Sequence, residues 1–219
     1  MVSGQRADKP GSQYANDALV EVKKRERYVS RGGTKLEAAL EHFHVDPTGR
    51  ICLDIGASTG GFTDCLLQHG AVRVYALDVG HSQMDWKIRS DPRVVAREKF
   101  NARYLVAADL PEPVSLCVID VSFIALTTML PPATLMFGAE VDAPSGVTIL
   151  ALIKPQFELG RGDVGRGGIV REPALHERAV EKVRRFAETS LPNWRWTGVM
   201  DSPILGTEGN KEFLACLQK

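Results

Sequence analysis

A glycine-rich turn at residues 53–64 constrains this chain more than any other stretch of its sequence. A short apolar run leads into Asp54 just ahead of the turn, and a second apolar segment, which ends at Gly70, follows it. Open α/β sheets hold nucleotide-like ligands with this order of strand, glycine turn and helix. The glycines let the backbone approach the ligand, and the helix N-terminus offers free N–H groups. The sequence therefore predicts a ligand site at this turn.

The spacing within the turn indicates which ligand to expect. It reads Asp-x-Gly-x-x-x-Gly-Gly and not the Gly-x-Gly-x-x-Gly of dinucleotide binders, so no pyrophosphate is expected. Asp54 can accept an ammonium group, and Asp78, which ends another apolar run about 20 residues further on, can bind a ribose hydroxyl. An amino-acid end and a ribose without phosphate describe S-adenosylmethionine (SAM), which we expect as cofactor. The alternative is an ordinary strand-to-helix turn.

Length and composition are those of one α/β domain, or of one domain with a small appendage, in a chain of 219 residues. The formal net charge is zero, so any RNA-binding surface must be a local basic patch. The four cysteines are scattered, which predicts reduced core thiols of a cytoplasmic protein and neither a zinc site nor a disulfide framework. Residues 147–153 form the longest apolar run, which is too short to span a bilayer, and we predict no signal peptide.

Strand and helix patterns alternate along residues 34–217. Strands are predicted at residues 51–53, 72–78, 93–97, 116–121, 147–153, 197–200 and 212–217, and helices at 36–43, 62–67, 83–89, 124–137 and 173–188. This alternation predicts a Rossmann-like α/β fold, a doubly wound, mostly parallel seven-stranded sheet with helices on both faces. Pro131 and Pro132 should kink or divide their helix. The loop at 156–170 is long for a compact domain, which favours function or mobility.

Charged residues stand at the ends of four predicted strands: Asp54, Asp78, Asp120 and Lys154. Because ligands bind beyond the carboxyl ends of parallel strands, all four should face one crevice. A lysine that is partly withdrawn from water and close to a second lysine could serve as general base for a hydroxyl. Asp120 could hold the Lys154 amine in position. The alternative is a set of ion pairs that only fix the sheet edge.

A further candidate is Lys35, near the start of a helix that Thr34 could cap. A cation at that position opposes the helix dipole, and a residue that breaks a local rule is a candidate for function. Glu208, in the glycine-containing loop at 206–210, could orient a second lysine near Lys154. The sequence thus offers two lysines and two acids for one site.

Residues 1–27 differ from the rest of the chain. They combine turn-rich sequence with a weak strand pattern at 18–22, and they are too few to form a core of their own. Residues 23–33 carry several cations, an aromatic side chain and a Gly-Gly pair, which suits a contact with phosphates. A flexible tail and a solvated linker are the alternatives for these two segments.

Six segments of the chain together resemble the TlyA-type family, whose members are often labelled hemolysins and are related to the FtsJ-like RNA 2′-O-methyltransferases. The segments are residues 28–36, 53–64, 119–123, 154–158, 167–170 and 206–210. The resemblance implies that residues 28–219 are a SAM-dependent methyltransferase domain. Residues 1–27 resemble the second half of an S4 RNA-binding domain, without the helices that precede it, and would be a partial S4-like segment and linker.

The resemblance also implies roles for individual residues. The Lys-Asp-Lys-Glu tetrad of the related enzymes falls on Lys35, Asp120, Lys154 and Glu208. Lys154 would take the proton of a ribose 2′-hydroxyl, at a cytidine of ribosomal RNA or of a ribosomal subunit, as the oxygen attacks the SAM methyl group. SAM contacts are implied at Asp54, Gly56, Ser58, Thr59, Gly60, Gly61, Phe62, Asp78, Asn101 and Asp120. The basic candidates for RNA contact are Lys23, Lys24, Arg25, Arg27, Arg31, Arg161, Arg166 and Arg171.

Four other functions are weaker interpretations. A base N-methyltransferase favours an Asn/Asp-Pro-Pro-aromatic turn after the fourth strand, whereas residues 120–123 read Asp-Val-Ser-Phe. An NAD-dependent oxidoreductase needs the phosphate-binding glycine spacing that the turn lacks. A membrane-lytic protein needs an amphipathic or spanning segment, and the sequence shows neither. An RNA-binding protein without catalysis would have little use for the tetrad.

Overall fold

One seven-stranded sheet with its helices accounts for most of the chain. The computed structural model describes residue 2 and residues 12–15, 17–19, 26–138, 146–160 and 162–219. The strands are β1 (Ile51–Ile55), β2 (Arg73–Leu77), β3 (Val94–Arg97), β4 (Leu116–Ile119), β5 (Thr148–Ile153), β6 (Arg195–Asp201) and β7 (Phe213–Gln218). The helices are α1 (Gly32–His42), α2 (Gly61–Gln68), α3 (Trp86–Arg89), α4 (Leu126–Thr134), α5 (Pro155–Glu158) and α6 (Pro173–Ser190).

The strand order places the carboxyl ends of five parallel strands at one edge of the sheet. The order is β3-β2-β1-β4-β5-β7-β6; the first five strands of the chain run parallel, and β7 runs antiparallel to both β5 and β6. Ile55 pairs with both Leu77 and Ile119, so β1, β2 and β4 end at the same level. This topology confirms the predicted Rossmann-like, mostly parallel sheet.

Helices cover both faces because successive strand residues point to opposite sides. Cys52 belongs to a core that includes Leu36 of α1 and Leu66 of α2, whereas its neighbour Leu53 belongs to a second core with α4 and α6. Strands buried on both faces are near-continuously apolar, as the sequence of β4 and β5 predicts. The two cores hold the glycine turn and the strand ends between them.

Three local features differ in detail from the sequence prediction. Helix α1 already begins at Gly32, so Thr34 lies in its first turn and does not cap it. Helix α4 contains Pro131 and Pro132 and is not divided by them, and it ends two residues after Pro132. The loop at 156–170 is less irregular than expected, since it includes most of α5 and a 3-10 turn at 166–168.

The N-terminal segment is described only in part. Ala18 and Leu19 lie outside any strand, while residues 20–22 of the predicted strand fall outside the described residues. The proposed division at residue 27 therefore stays a prediction. Among the helices that the structure describes, none combines the length and the apolar character needed to span a membrane.

Candidate active site

The glycine turn between β1 and α2 has a backbone that requires glycine. Gly56 and Gly60 have φ angles of +87° and +94°, which residues with a side chain rarely adopt. A Cβ atom at Gly56 would lie 2.2 Å from the backbone oxygen of Asp120, so the turn and the end of β4 are packed backbone to backbone. The N–H groups of Gly56 and Ala57 donate to the carbonyl oxygen of Leu77, at 2.9 and 3.1 Å. The turn is thus held by both neighbouring strands.

A cavity of about 470 Å³ opens beside this turn, at the ends of β1, β2 and β4. Asp78 lines it and accepts hydrogen bonds from the backbone N–H groups of Ser58, at 2.7 Å, and Gly80, at 2.6 Å. Asn101 also lines it, and its side-chain oxygen accepts from Arg103 N at 3.1 Å. The volume is typical of small-molecule sites. Gly56, Ser58, Asp78, Asn101 and Asp120 of the predicted cofactor residues therefore share one cavity.

The remaining turn residues surround a second cavity or support the first. Thr59, Gly61 and Phe62 line a neighbouring cavity of about 300 Å³, which shares Gly56, Ser58, Asp120 and Ser122 with the larger one. Gly60 packs against Ile88 of α3, and a Cβ atom there would lie 3.2 Å from that side chain. The two cavities thus meet over the glycine turn.

Asp54 lies beneath the turn and has no solvent-exposed surface. One carboxylate oxygen accepts from the Thr63 hydroxyl of α2 at 2.6 Å; the other is buried and lacks a hydrogen-bond partner within the residues the structure describes. Burial raises the pKa of Asp54 to about 7, although the Thr63 hydrogen bond opposes the shift. The predicted contact of Asp54 with SAM stays a prediction.

The buried Asp54 carboxyl makes stability depend on pH. Its pKa is raised from 3.8 to about 7, so its contribution to stability is full below 3.8 and is lost as the pH rises through about 7. We expect Asp54→Asn to remove this loss, which is about 4 kcal/mol over the whole range for one fully buried carboxyl and about 3 kcal/mol of it between pH 5 and pH 8. Urea unfolding near pH 5 and near pH 8 measures it, with the exposed Asp201→Asn as control. A difference from wild type that does not change with pH would contradict the assignment.

Two lysine–carboxylate pairs converge in the smaller cavity. The Lys154 amine lies 2.6 Å from Asp120 Oδ1 and donates to the Ser122 hydroxyl at 3.0 Å. The Lys35 amine lies 2.5 Å from Glu212 Oε2, with side chains only 11% and 4% exposed. All five residues line the same 300 Å³ cavity. Lys35, Asp120 and Lys154 are therefore brought together, as the sequence predicts for neighbours in one crevice.

The acid beside Lys35 is Glu212, and Glu208 lies elsewhere. Glu208 is exposed in the loop before β7, whereas Glu212 is buried one residue before that strand. Phe213 pairs with Ile153 across the antiparallel β5–β7 ladder, so Glu212 stands opposite Lys154. An antiparallel strand begins at the edge where its parallel neighbours end. The sequence does show that Glu212 directly precedes an apolar strand. Only the antiparallel direction of that strand, however, places Glu212 at the edge that carries Lys154.

Lys35 is positioned by the segment that leads into α1. The backbone N–H of Val29 donates to Asp64 of α2 at 2.9 Å, and Gln68 donates to the carbonyl oxygen of Arg27 at 3.0 Å. A Cβ atom at Gly61 would lie 2.1 Å from the Ser30 hydroxyl, so the segment touches the start of α2 directly. These contacts hold the N-terminal end of α1 over the glycine turn and bring Lys35 into the cavity.

Known proteins share both this sequence and this fold. The profile of the FtsJ-like methyltransferase family matches residues 28–219. The chain belongs to this family. The 16S/23S rRNA (cytidine-2′-O)-methyltransferase TlyA of Mycobacterium tuberculosis is 46% identical over 219 residues, which cover 99% of this chain and 79% of that protein. The predicted resemblance to TlyA-type proteins is thereby confirmed.

Other relatives of the FtsJ-like domain carry a different label. Hemolysin A of Brachyspira hyodysenteriae is 43% identical over 216 residues, which cover 98% of this chain and 86% of that protein. The crystal structure of a candidate hemolysin from Lactococcus lactis superposes with a TM-score of 0.83 and 50% identity, covering 89% of this chain and 90% of that chain. One family thus includes proteins named for RNA methylation and proteins named for lysis.

Two aromatic side chains, one of which lines the larger cavity of the FtsJ-like site, were not singled out from the sequence. Phe123 is 89% exposed, has a φ angle of +63° and lines the larger cavity. Its ring centroid lies 5.0 Å from that of Phe157 in α5. A bulky residue with positive φ is uncommon and points to a functional constraint. Phe123 follows Asp120 by three residues, and Phe157 follows Lys154 by three residues.

Of the basic candidates for RNA contact that the structure describes, one lines a cavity of the site. Arg31 is exposed and lines the smaller cavity, while Arg27 forms an ion pair with Glu37 of α1. Arg166 and Arg171 are exposed in the segment before α6. Lys23, Lys24, Arg25 and Arg161 lie outside the described residues. Their role as RNA contacts stays a prediction.

Proposed function

We propose that this FtsJ-like domain transfers the methyl group of SAM to a ribose 2′-hydroxyl of ribosomal RNA, at a cytidine. The observation that carries the proposal is the convergence of two lysine–carboxylate pairs in a cavity that adjoins the glycine turn. The name of the Mycobacterium tuberculosis relative supports the substrate class. A ribosomal substrate and four buried free cysteines agree with a cytoplasmic protein.

The larger cavity fits SAM. Gly56 lines the cavity with its backbone, since a Cβ atom at this position would clash with the backbone of Asp120. Asp78 follows β2 and offers carboxylate oxygens for the ribose hydroxyls. Asn101 stands at the same wall, on the side that we assign to the adenine. When bound, SAM supplies a methyl group on a positively charged sulfur. The chain therefore has to place and activate only the acceptor.

Lys154 is held so that one of its N–H groups can reach that acceptor. An ammonium group has three donors; Ser122 accepts one of them at 3.0 Å, and Asp120 Oδ1 lies 2.6 Å from the nitrogen as its ion-pair partner. A remaining donor can orient the ribose oxygen. In its neutral form the amine accepts the proton of the attacking 2′-hydroxyl, and Asp120 stabilises the ammonium that results. Positioning of this kind supplies much of the rate in such reactions.

Lys35 contributes a fixed positive charge on the other side of the cavity. Its amine is almost fully buried against Glu212, and a buried ion pair of this kind contributes little net stability. We assign it to stabilising negative charge that develops on the ribose oxygen as the proton leaves. Glu212 holds the amine in place, the role that the sequence assigned to Glu208.

The aromatic pair offers a surface for the nucleobase. Phe123 lines the larger cavity with its ring almost fully exposed and packs against Phe157, and bases of unpaired nucleotides stack on such rings. Arg31 lies at the edge of the smaller cavity, where it can contact a phosphate. A nucleotide that leaves its helix could place its base on Phe123 and its ribose beside Lys154.

Transfer of a labelled methyl group from SAM to isolated ribosomal subunits tests the proposal. We expect wild-type protein to label the RNA of at least one subunit, since the cavities suit both the donor and a ribose acceptor. Excess S-adenosylhomocysteine should suppress the labelling by competing for the larger cavity. If the RNA of both subunits stays unlabelled with folded wild-type protein, the proposed function fails.

A further inference from the structure

Glu158 is a buried carboxylate that the proposed chemistry does not use. It ends α5, four residues after Lys154, and is only 4% exposed. Burial raises the pKa of Glu158 above its usual value, although the N–H of Leu126 and the amine of Lys182 oppose the shift. A buried carboxylate is costly unless it is paired, so its partners indicate why it is there.

Its first partner is the beginning of α4. One oxygen of Glu158 accepts a hydrogen bond from the backbone N–H of Leu126 at 2.7 Å. Leu126 is the first residue of α4, and Ala125 before it has no polar side chain with which to cap the helix. A carboxylate also suits the positive end of a helix dipole. Glu158 therefore caps α4 from another segment of the chain.

Its second partner, Lys182, attaches α5 to α6. The Lys182 amine lies 3.4 Å from the carboxylate and donates to the backbone oxygen of Glu158 at 2.5 Å. The Lys182 side chain is partly exposed, whereas the carboxylate that it approaches is buried. Glu158 thus lies where α4, α5 and α6 meet. The two connections that end there are the β4–α4 segment, which carries Asp120, and the β5–α5 segment, which carries Lys154.

Those two connections touch at successive points. They leave the neighbouring strands β4 and β5, where Ile119 pairs with Ala151. Beyond the strands, the Asp120–Lys154 ion pair joins them, followed by the Phe123–Phe157 ring pair. The Glu158–Leu126 hydrogen bond is the outermost link. The separation of Asp120 and Lys154 is therefore set by the sheet at one end and by Glu158 at the other.

We propose that Glu158 is a positioning residue, which fixes the relative placement of Asp120 and Lys154 by joining the start of α4 to the end of α5. The inference rests on the proposed methyl transfer for its effect on rate, but its geometric part does not. Because a misplacement of about 1 Å can cost on the order of 100-fold in rate, loss of the outer link should be visible in kcat.

Two variants of similar size isolate the hydrogen bond. Glu158→Met keeps the length of the side chain but has no strong acceptor for Leu126 N–H, whereas Glu158→Gln keeps an acceptor oxygen. We expect kcat to fall about tenfold or more in Glu158→Met and to stay within about threefold of wild type in Glu158→Gln. The KM for SAM should change less than kcat, because Asp78, Asn101 and the glycine turn, which also line the larger cavity, are not attached to this link. Equal kcat values in the two variants would overturn the proposal.

A second substitution separates helix capping from positioning. Ala125 has the extended backbone of an N-cap residue, with φ −75° and ψ 143°, so Ala125→Ser can cap α4 locally. Added to Glu158→Met, it should raise the melting temperature without restoring kcat, because the two connections stay unlinked. Recovery of kcat together with stability would show that Glu158 acts only as a cap, and would overturn the proposal.

A chemical readout tests the geometry without methyl transfer. The rate at which acetic anhydride modifies Lys154, followed by mass spectrometry, reports how firmly Asp120 holds the amine. We expect modification at least about threefold faster in Glu158→Met than in wild type or Glu158→Gln. Equal rates in all three proteins would refute the positioning role. If wild type transfers no methyl group, the proposed function fails, and this readout still decides the role of Glu158.

Discussion

Lys154→Met is expected to lower kcat for methyl transfer by about 10²- to 10⁴-fold, the usual range for loss of a general acid or base. The variant removes the amine that Asp120 and Ser122 orient toward the acceptor, while the linear apolar side chain keeps most of the volume. SAM affinity should stay within about threefold, because Lys154 lines the smaller cavity and not the larger one. Single-turnover transfer to ribosomal RNA measures the chemical step, and isothermal titration measures SAM binding.

The matched control for this variant is Lys87→Met. Lys87 is a largely exposed lysine on α3, and its amine lies 3.5 Å from Asp64. Its replacement should leave kcat within about twofold of wild type, because Asp64 keeps its hydrogen bonds from Val29 N–H and from the Gln68 side chain. A Lys154→Met enzyme with nearly normal kcat would contradict the role of the amine. A variant that loses SAM affinity and kcat in parallel would instead assign Lys154 to the cofactor.

The second large effect is expected from Glu212→Gln. Removing this carboxylate leaves the buried Lys35 charge without its partner, which typically costs about 3–5 kcal/mol of stability. It also frees the amine to move, so kcat should fall on the order of 100-fold even where the protein is fully folded. Urea unfolding and single-turnover transfer measure the two losses separately.

Glu208→Gln is the control that the sequence itself supplies. Glu208 is exposed in the loop before β7, so we expect its replacement to change neither stability nor kcat by more than about twofold. The double variant Lys35→Met/Glu212→Met removes both charges and should regain much of the stability without regaining kcat. A larger loss of kcat at Glu208 than at Glu212 would contradict the geometry of the tetrad.

The sheet and most of the site were predictable because they follow from local rules. Apolar runs that alternate with helical patterns require parallel strands, and parallel strands end at a common edge. That rule alone brings Asp78, Asp120 and Lys154 to one crevice. Lys35 was recognisable as a cation that opposes a helix dipole. The structure supplies the missing reason, since its charge is balanced by Glu212.

The two acids were harder to predict because their positions depend on strand direction and side-chain alternation. Glu212 reaches the site only because β7 runs antiparallel to β5, which local sequence does not reveal. Alternation along β1 directs the Asp54 side chain to the same face as Cys52, where it accepts a hydrogen bond from Thr63 of α2; its contact with the ligand stays a prediction. At both positions the sequence shows an acid near the site, but it does not show the strand direction that places Glu212 or the side-chain direction that places Asp54.

Glu158 shows what no local pattern contains. Its sequence surroundings, in a polar and glycine-rich stretch, are typical of a solvent-exposed loop. In the fold Glu158 is buried because it packs against the start of α4, which has no cap of its own. Glu158 supplies that cap from α5, 32 residues further along the chain. Contacts of this kind depend on the packed arrangement of several elements and become visible only in three dimensions.

The position of the transferred methyl group on the nucleotide tests the central claim most directly. Alkaline cleavage of RNA requires a free 2′-hydroxyl, so RNA labelled by the wild-type protein should release its label in alkali-resistant dinucleotides. Nucleoside mass spectrometry of the same RNA should then identify 2′-O-methylcytidine. Label recovered in mononucleotides, as expected for methylation of a base, would contradict an active site in which Lys154 and Lys35 act on a ribose hydroxyl.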